Sequence, residues 1–182
     1  MINANRKCAI DNSESVTKNG DKMIREVRRE EIPVCVEVIK KSFITVADEY
    51  GFTEENAPRF TAFATTTDRL YWHMDREHRP MYVFEEDGDL CGYYSLLLQE
   101  NGECELNNLS VLPEYRHRGI GKQLLEHAFH TAKEAGCMIV NIGIVEENKV
   151  LRKWYELNGA KHIETKKYDF FPFTCGYMKK EL

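Results

Sequence analysis

Between Leu106 and Glu126 the sequence reads LNNLSVLPEYRHRGIGKQLLE, and this stretch constrains the fold more than any other. Alternating apolar residues up to Val111 predict a strand, Leu112-Pro113-Glu114 a turn, and Arg116 to Gly121 a basic loop with two glycines. Leu124, Leu125, Ala128, Phe129 and Ala132 then recur at one-face helical spacing up to Gly136, so a helix should open directly off the loop. At such a junction the first backbone N–H groups have no intrahelical partner and the helix dipole favours negative charge. Glycine also lets a ligand come close to the backbone. The stretch is therefore a predicted phosphate or pyrophosphate site.

Two common phosphate loops are excluded by spacing. A P-loop needs glycine where Arg116 stands and a hydroxyl after Lys122, where the chain has Gln123. A dinucleotide fingerprint needs glycine at Leu124. The remaining pattern, Arg116-x-x-Gly119-x-Gly121 after the strand Leu109-x-Val111-x-Pro113, resembles the coenzyme A pyrophosphate loop of the GNAT N-acetyltransferase superfamily. The resemblance implies that Arg116, His117, Arg118, Gly119, Ile120, Gly121 and Lys122 hold that pyrophosphate. A surface turn with solvated arginines is the alternative.

Composition narrows the class. At 182 residues the chain has the length of one domain, and its net charge of −5 argues against general nucleic-acid binding. No apolar run approaches membrane-spanning length, and the N-terminus lacks a signal-peptide core, which predicts a cytoplasmic protein. Cys8, Cys35, Cys91, Cys104, Cys137 and Cys175 form no C-x-x-C pair and read as reduced thiols, several of them core residues. His127 and His130 fall off the apolar stripe without a third ligand, so they read as solvated surface histidines and no metal is expected.

Taken in order, residues 1–20 are polar and aperiodic, a loose leader ahead of a single domain over residues 21–182. Met23–Val27 predicts a strand, and Val36, Ile39 and Phe43 a helix from Pro33. A second helix is expected over Pro58–Met74. Met81–Glu85 and Leu90–Leu98 are strands joined by an Asp-Gly hairpin, and Asn101-Gly102 leads into the central strand. Met138–Val145 suits a buried strand, Asn148 starts a helix stopped by Gly159, and two strands around Phe170-Phe171-Pro172-Phe173 close the chain. The fold class is α/β: a mixed, mostly antiparallel sheet with helices on both faces.

The central strand hides a phase break. Cys104 and Leu106 alternate in one register, Leu109 and Val111 in the other. One face can stay apolar only if a residue is inserted at Asn107-Asn108, which predicts a β-bulge that splays the sheet there. Backbone groups freed in the gap could pair with a ligand that carries amides of its own.

The resemblance extends from about Met23 to the C-terminus, and it assigns roles. It implies that the pantetheine arm of acetyl-CoA pairs with Leu109 and Val111. A second motif, Asn148-x-x-Leu151-x-x-Trp154-Tyr155-x-x-x-Gly159-Ala160, is similar to a family signature and makes Asn148 a cofactor contact and Tyr155 the acid for the leaving thiolate. Without the family, Asn148 reads as a helix N-cap and Tyr155 as a core tyrosine. Glu105 matches the acidic residue that serves as base in several members; Glu103 or a water held by Asn108 are alternatives. The implied function is acetyl transfer from acetyl-CoA to a primary amine by direct attack, against a catalytically silent acyl-CoA-binding regulatory module. A small-molecule amine is the expected acceptor, with polyamine, amino acid, antibiotic and protein N-terminus left open. Asp48, Glu49, Glu54 and Glu55 beside an aromatic-rich stretch favour a small cationic amine. The oligomeric state, a homodimer included, is left open.

Overall fold

The computed structural model describes residues 22–182, so the leader expected over residues 1–20 lies outside the described part. Asp87 and Gly88 take φ of 57° and 90°, the backbone a two-residue hairpin needs, and join β2 (Met81–Glu86) to β3 (Asp89–Leu98). Gly102 turns β3 into β4 (Glu103–Val111). β1 (Lys22–Glu26) pairs with β2. Between them α1 (Ile32–Tyr50) begins with Pro33 in its first turn and stops at Gly51 in left-handed backbone. After β4 come α4 (Ile120–Glu134), β5 (Ile139–Val145), α5 (Lys149–Leu157), β6 (Lys161–Lys167) and β7 (Thr174–Glu181). The sheet order is β1-β2-β3-β4-β5-β7-β6, and only β4 and β5 run parallel.

Helices cover both faces. Val83 and Tyr93 point to one side and pack with Ile32, Val36 and Ile39 of α1 and with Leu70. Their neighbours Phe84 and Tyr94 point to the other and pack with Leu124, Leu125 and Ala128 of α4. Strand side chains alternate, so strands covered on both faces read as unbroken apolar runs, as in MYVF and CGYY. A third cluster gathers Phe52, Phe60, Val145 and Phe173 between the end of α1, the end of β5 and the β6–β7 loop.

Two expectations are corrected. The helix expected over Pro58–Met74 is two, α2 (Thr61–Ala64) and α3 (Thr67–Asp75). Thr66 between them is extended (φ −132°, ψ 160°), and its hydroxyl accepts the Arg69 N–H at 3.2 Å. A run of threonines offers the backbone such side-chain partners in place of helical ones. His127 is not a solvated surface residue: it is half-buried, with Nδ1 2.6 Å from the Tyr94 hydroxyl and its ring edge-on to Tyr82. His130 is exposed as expected, near Glu134.

α5 is fixed at its start by Glu146, whose buried carboxylate accepts from Lys149 Nζ at 2.6 Å, Arg152 Nη1 at 2.7 Å and His162 Nε2 at 2.9 Å. Burial works against the charge, but these donors prevail and bring the carboxyl down to about 2.

α4 sits on β3 closely enough to demand glycine at position 92. A Cβ there would lie 2.7 Å from Leu124 Cδ1 and 3.3 Å from the Ser110 carbonyl oxygen. Gly92→Ala should cost about 1–3 kcal/mol by overpacking, read as a lower urea midpoint at unchanged slope. An unchanged midpoint would contradict this approach of helix to sheet.

Candidate active site

β4 pairs with β5 only over Glu103–Leu106 against Ile139–Ile142; beyond that its β5-side edge is unpaired. The cause is the expected bulge. Ser95 opposes Asn107 and Tyr93 opposes Ser110, so Asn108 and Leu109 together face the single residue Tyr94. Asn108 takes φ 55°, left-handed backbone that asparagine tolerates better than most residues. A bulge bends its strand, and here it bends β4 out of reach of β5.

The inserted residue also restores the apolar face. Leu109 and Val111 pack against the same cluster as Cys104 and Leu106, on the α4 side. Glu105 and Asn107 project from the opposite face, the side of α1 and α3, together with Ser95 and Tyr93.

On the α4 side lies the loop. Among the described residues, the N–H groups of His117, Arg118, Gly119, Ile120, Gly121 and Lys122 donate to no backbone carbonyl. His117 and Gly119 take φ of 62° and 79°, which turns this run of donors into a concavity at the start of α4. The loop is seated on the freed strand: a Cβ on Gly121 would lie 3.7 Å from Val111 and 3.8 Å from Trp154, ordinary contact. Arg118 and Lys122 are exposed; Arg118 lies over the Tyr115 ring and donates to the Glu114 carbonyl. Ile120 is buried in the core.

Arg116 has a different place from its neighbours. Its guanidinium turns inward and donates to the Val111 carbonyl at 3.1 Å, Thr45 Oγ1 at 3.1 Å and the Ser42 carbonyl at 2.8 Å. It ties the loop to α1, and its side chain is not at the mouth of the donor concavity. Asn148 caps α5, its Oδ1 accepting from Leu151 N at 2.9 Å. Tyr155 is buried in the cluster between α4 and β5, and its hydroxyl has no hydrogen-bond partner among the described residues. Burial alone pushes it well above the ordinary tyrosine value.

On the other face, a cavity of about 210 Å³ abuts the bulge. Glu105, Asn107 and Asn108 line it from β4, and Arg59, Arg69, His73 and Arg79 from the α2–α3 segment and the turn into β2. Glu105 is exposed, without the partial burial expected of it, and accepts from Gln99 Nε2 at 3.2 Å. Glu103, the alternative base, is bonded to Asn141 Nδ2 at 2.7 Å and lies near Lys179, which hold its carboxyl below the usual range. It joins β4 to β5 and β7. The expected acidic rim is absent from the lining: Asp48, Glu49, Glu54 and Glu55 are exposed residues elsewhere on the surface. The aromatics expected there are largely core, with Phe52 and Phe60 packed on Phe173. The sequence reading missed the arginines; the only signal was Arg69 and His73 four apart, on one face of α3.

Comparisons with known proteins identify the family and the fold. The Acetyltransferase (GNAT) family profile matches residues 46–160. An uncharacterized N-acetyltransferase, YjgM, of Escherichia coli is 27% identical over 148 residues, covering 78% of this chain and 83% of its own. One from the pepI 3′ region of Lactobacillus delbrueckii subsp. lactis is 25% identical over 147 residues, 75% of this chain and 82% of that one. Among solved structures, PaiA N-acetyltransferase from Thermoplasma acidophilum, in complex with coenzyme A, superposes with a TM-score of 0.75 at 22% identity, over 89% of this chain and 99% of that one. The putative acetyltransferase yncA from Salmonella typhimurium, with acetyl-CoA, gives 0.70 at 20% identity, over 89% and 94%. The fold they share is a seven-stranded, mostly antiparallel open sheet. The chain belongs to the GNAT acetyltransferase family. No described helix is long and apolar enough to cross a membrane.

The two loop arginines should separate cleanly in stability. Arg116→Met removes three bonds from a charged donor and should cost about 1.5–3 kcal/mol, whereas Arg118→Met should stay within about 0.5 kcal/mol. Urea unfolding of both variants measures the difference, and equal effects would contradict the anchoring role of Arg116.

Proposed function

We propose that this protein transfers an acetyl group from acetyl-CoA to a primary amine by direct attack, with donor and acceptor bound on the two sides of the bulge. One observation carries the reading: the parting of β4 from β5 beyond Leu106, with a run of free N–H groups on one side and a polar cavity on the other. These features fit the donor. A pyrophosphate suits the N–H groups of His117 to Lys122, and an amide-bearing arm suits the strand edge at Leu109 and Val111. Asn148 keeps its amide Nδ2 for a ligand while Oδ1 caps the helix.

Acetyl-CoA supplies a thioester carbonyl that an amine can attack. Glu105 takes a proton from the amine nitrogen, directly or through one water, so that its lone pair is free. As the C–N bond forms and the C–S bond breaks, the Tyr155 hydroxyl gives its proton to the leaving sulfur. The nitrogen sheds its second proton to solvent in becoming an amide, and solvent restores the tyrosine's. A tyrosine raised by burial keeps its proton at neutral pH, and the same dry surroundings raise the proton affinity of a thiolate beside it. Freed backbone N–H at the bulge is the donor for the carbonyl oxygen as it gains charge.

Two measurements test this. Gly121→Asp places a carboxylate in the first turn of α4, where a Cβ fits and the helix dipole favours negative charge, so folding should survive. Coenzyme A affinity by calorimetry should nevertheless fall at least about 10-fold from like-charge repulsion. Unchanged affinity in the folded variant would remove the loop from the donor site. Tyr155→Phe should leave acetyl-CoA affinity intact and lower turnover by about 10²-fold, the smaller end for general acids. Turnover within about twofold of wild type would remove Tyr155 from the chemistry.

A further inference from the structure

The cavity beside the bulge collects positive charge in a protein that carries −5 overall. Three guanidiniums, Arg59, Arg69 and Arg79, line it together with a single carboxylate, Glu105. Their bonding is incomplete. Arg79 has only 9% of its side chain exposed and spends Nε on Glu77 at 2.6 Å, leaving Nη1 and Nη2 without a partner among the described residues. The side chains of Arg59 and Arg69 have no hydrogen-bond or ion-pair partner there either; Arg59 lies over the Phe170 ring at 5.0 Å. Even with Glu77 counted, three cations face two carboxylates. Other arginines are paired with carboxylates, as in Arg25 with Glu31 and Glu85, or Arg152 with Glu146 and Glu156, although among the described residues Arg76 and Arg116 are not.

The surroundings add no negative charge to offset the arginines. His73 lines the cavity and is buried, with Nδ1 unbonded. Burial first, then the Arg79 and Arg69 charges, push it down to about 4, so it is neutral at pH 7 and adds no charge. The Tyr93 hydroxyl and Ser95 Oγ, on the same face of the sheet, are also buried without partners. Guanidiniums lining one cavity repel one another, Arg79 most because its side chain is little exposed, Arg59 and Arg69 less because they are exposed. An anion among them relieves that repulsion while accepting their free N–H groups. That anion is not the donor's pyrophosphate: the loop meets β4 at Val111, three residues or about 10 Å along the strand from Asn108, where the cavity ends.

We propose that the acetyl acceptor is a small amine that also carries an anionic group, a carboxylate or a phosphonate or phosphate, held by Arg59, Arg69 and Arg79 while its amine faces Glu105. This rests on the acetyltransferase reading above. The size agrees: 210 Å³ is below the roughly 300 Å³ at which pockets for drug-sized ligands begin. The positive field has a chemical use as well, since nearby cations disfavour the ammonium form and favour the neutral amine that attacks. The same field repels a polyamine, so the small cationic amine suggested by Asp48, Glu49, Glu54 and Glu55 gives way to an anionic one.

The test is thiol release from acetyl-CoA with acceptors matched on one carbon skeleton: amino-carboxylate, amino-phosphonate, amino-carboxamide and diamine. One or both anionic members should exceed the carboxamide and the diamine by at least about 10-fold in kcat/KM, and the ranking of the two anions says which group the cavity takes. Arg69→Met, at an exposed position, and Arg79→Met should each raise the KM of the preferred acceptor about 10- to 100-fold while the KM of acetyl-CoA stays put. Arg69→Glu should shift preference toward the diamine. Release that ignores the anion, or that favours the diamine, overturns this proposal and leaves acetyl transfer standing. Binding of acetyl-CoA with release from no amine overturns both.

Discussion

The bulge at Asn108 is the constraint on which the rest depends. Left-handed backbone at a residue other than glycine costs about 1 kcal/mol, and local bonds hold it in place. The Ser110 hydroxyl, itself buried, donates to the Asn108 carbonyl at 2.6 Å, and Asn107 Nδ2 donates to the Glu105 carbonyl at 3.1 Å. With β4 and β5 joined over four residue pairs, the two halves of the sheet need other ties. Glu103 bridges to Asn141 and Lys179 at the closed end. At the parted end the aromatic cluster of Phe52, Phe60 and Phe173 joins α1 and α2 to the β6–β7 loop, with ring centroids 4.9–5.8 Å apart. The gap is held at a set width by contacts on both ends, which is what a site between strands requires.

Arg116 connects that gap to α1. The loop pattern places a guanidinium where a phosphate ligand would be expected, yet this one is consumed by the Val111 and Ser42 carbonyls and the Thr45 hydroxyl. Satisfying both carbonyls with a charged donor is worth more than a neutral bond. In the proposed function the loop meets its anion with its backbone, and glycine at 119 serves that through its φ of 79°.

Much of this was legible in the sequence because periodicity reports burial. The phase break between Leu106 and Leu109 located the bulge, since a face can remain apolar across an odd insertion in no other way. Asp87-Gly88 and Gly102 located the turns, and Pro33 located the start of α1, whereas its stop at Gly51 was not read. What escaped depends on three-dimensional convergence. Arg59, Arg69 and Arg79 are each ten residues from the next, and only the break at Thr65-Thr66 and the turn after α3 bring them around one cavity. The carboxylates at 48, 49, 54 and 55 were conspicuous because they are adjacent in sequence, but adjacency at the end of a helix and in a loop places them in solvent. The inward turn of Arg116 had no sequence signal, since its partners on α1 are more than seventy residues away.

Alternation along one strand then gives a single element two chemically different faces, one for each ligand of the proposed reaction. Cys104 and Leu106 face α4, Glu105 and Asn107 face α1 and α3. A regular strand would carry that alternation on and put Leu109 and Val111 beneath the arginine-lined cavity, with Ser110 turned into the apolar cluster. The extra residue reverses the order, so Leu109 and Val111 rejoin the apolar face beside the glycine loop and Ser110 returns to the polar one. The same insertion bends β4 from β5 and frees the edge between the two faces. The proposed amine and donor, one on each face, would therefore meet at the bulge. Removing the insertion would turn Leu109 and Val111 to the cavity face and close the gap that Glu105 borders.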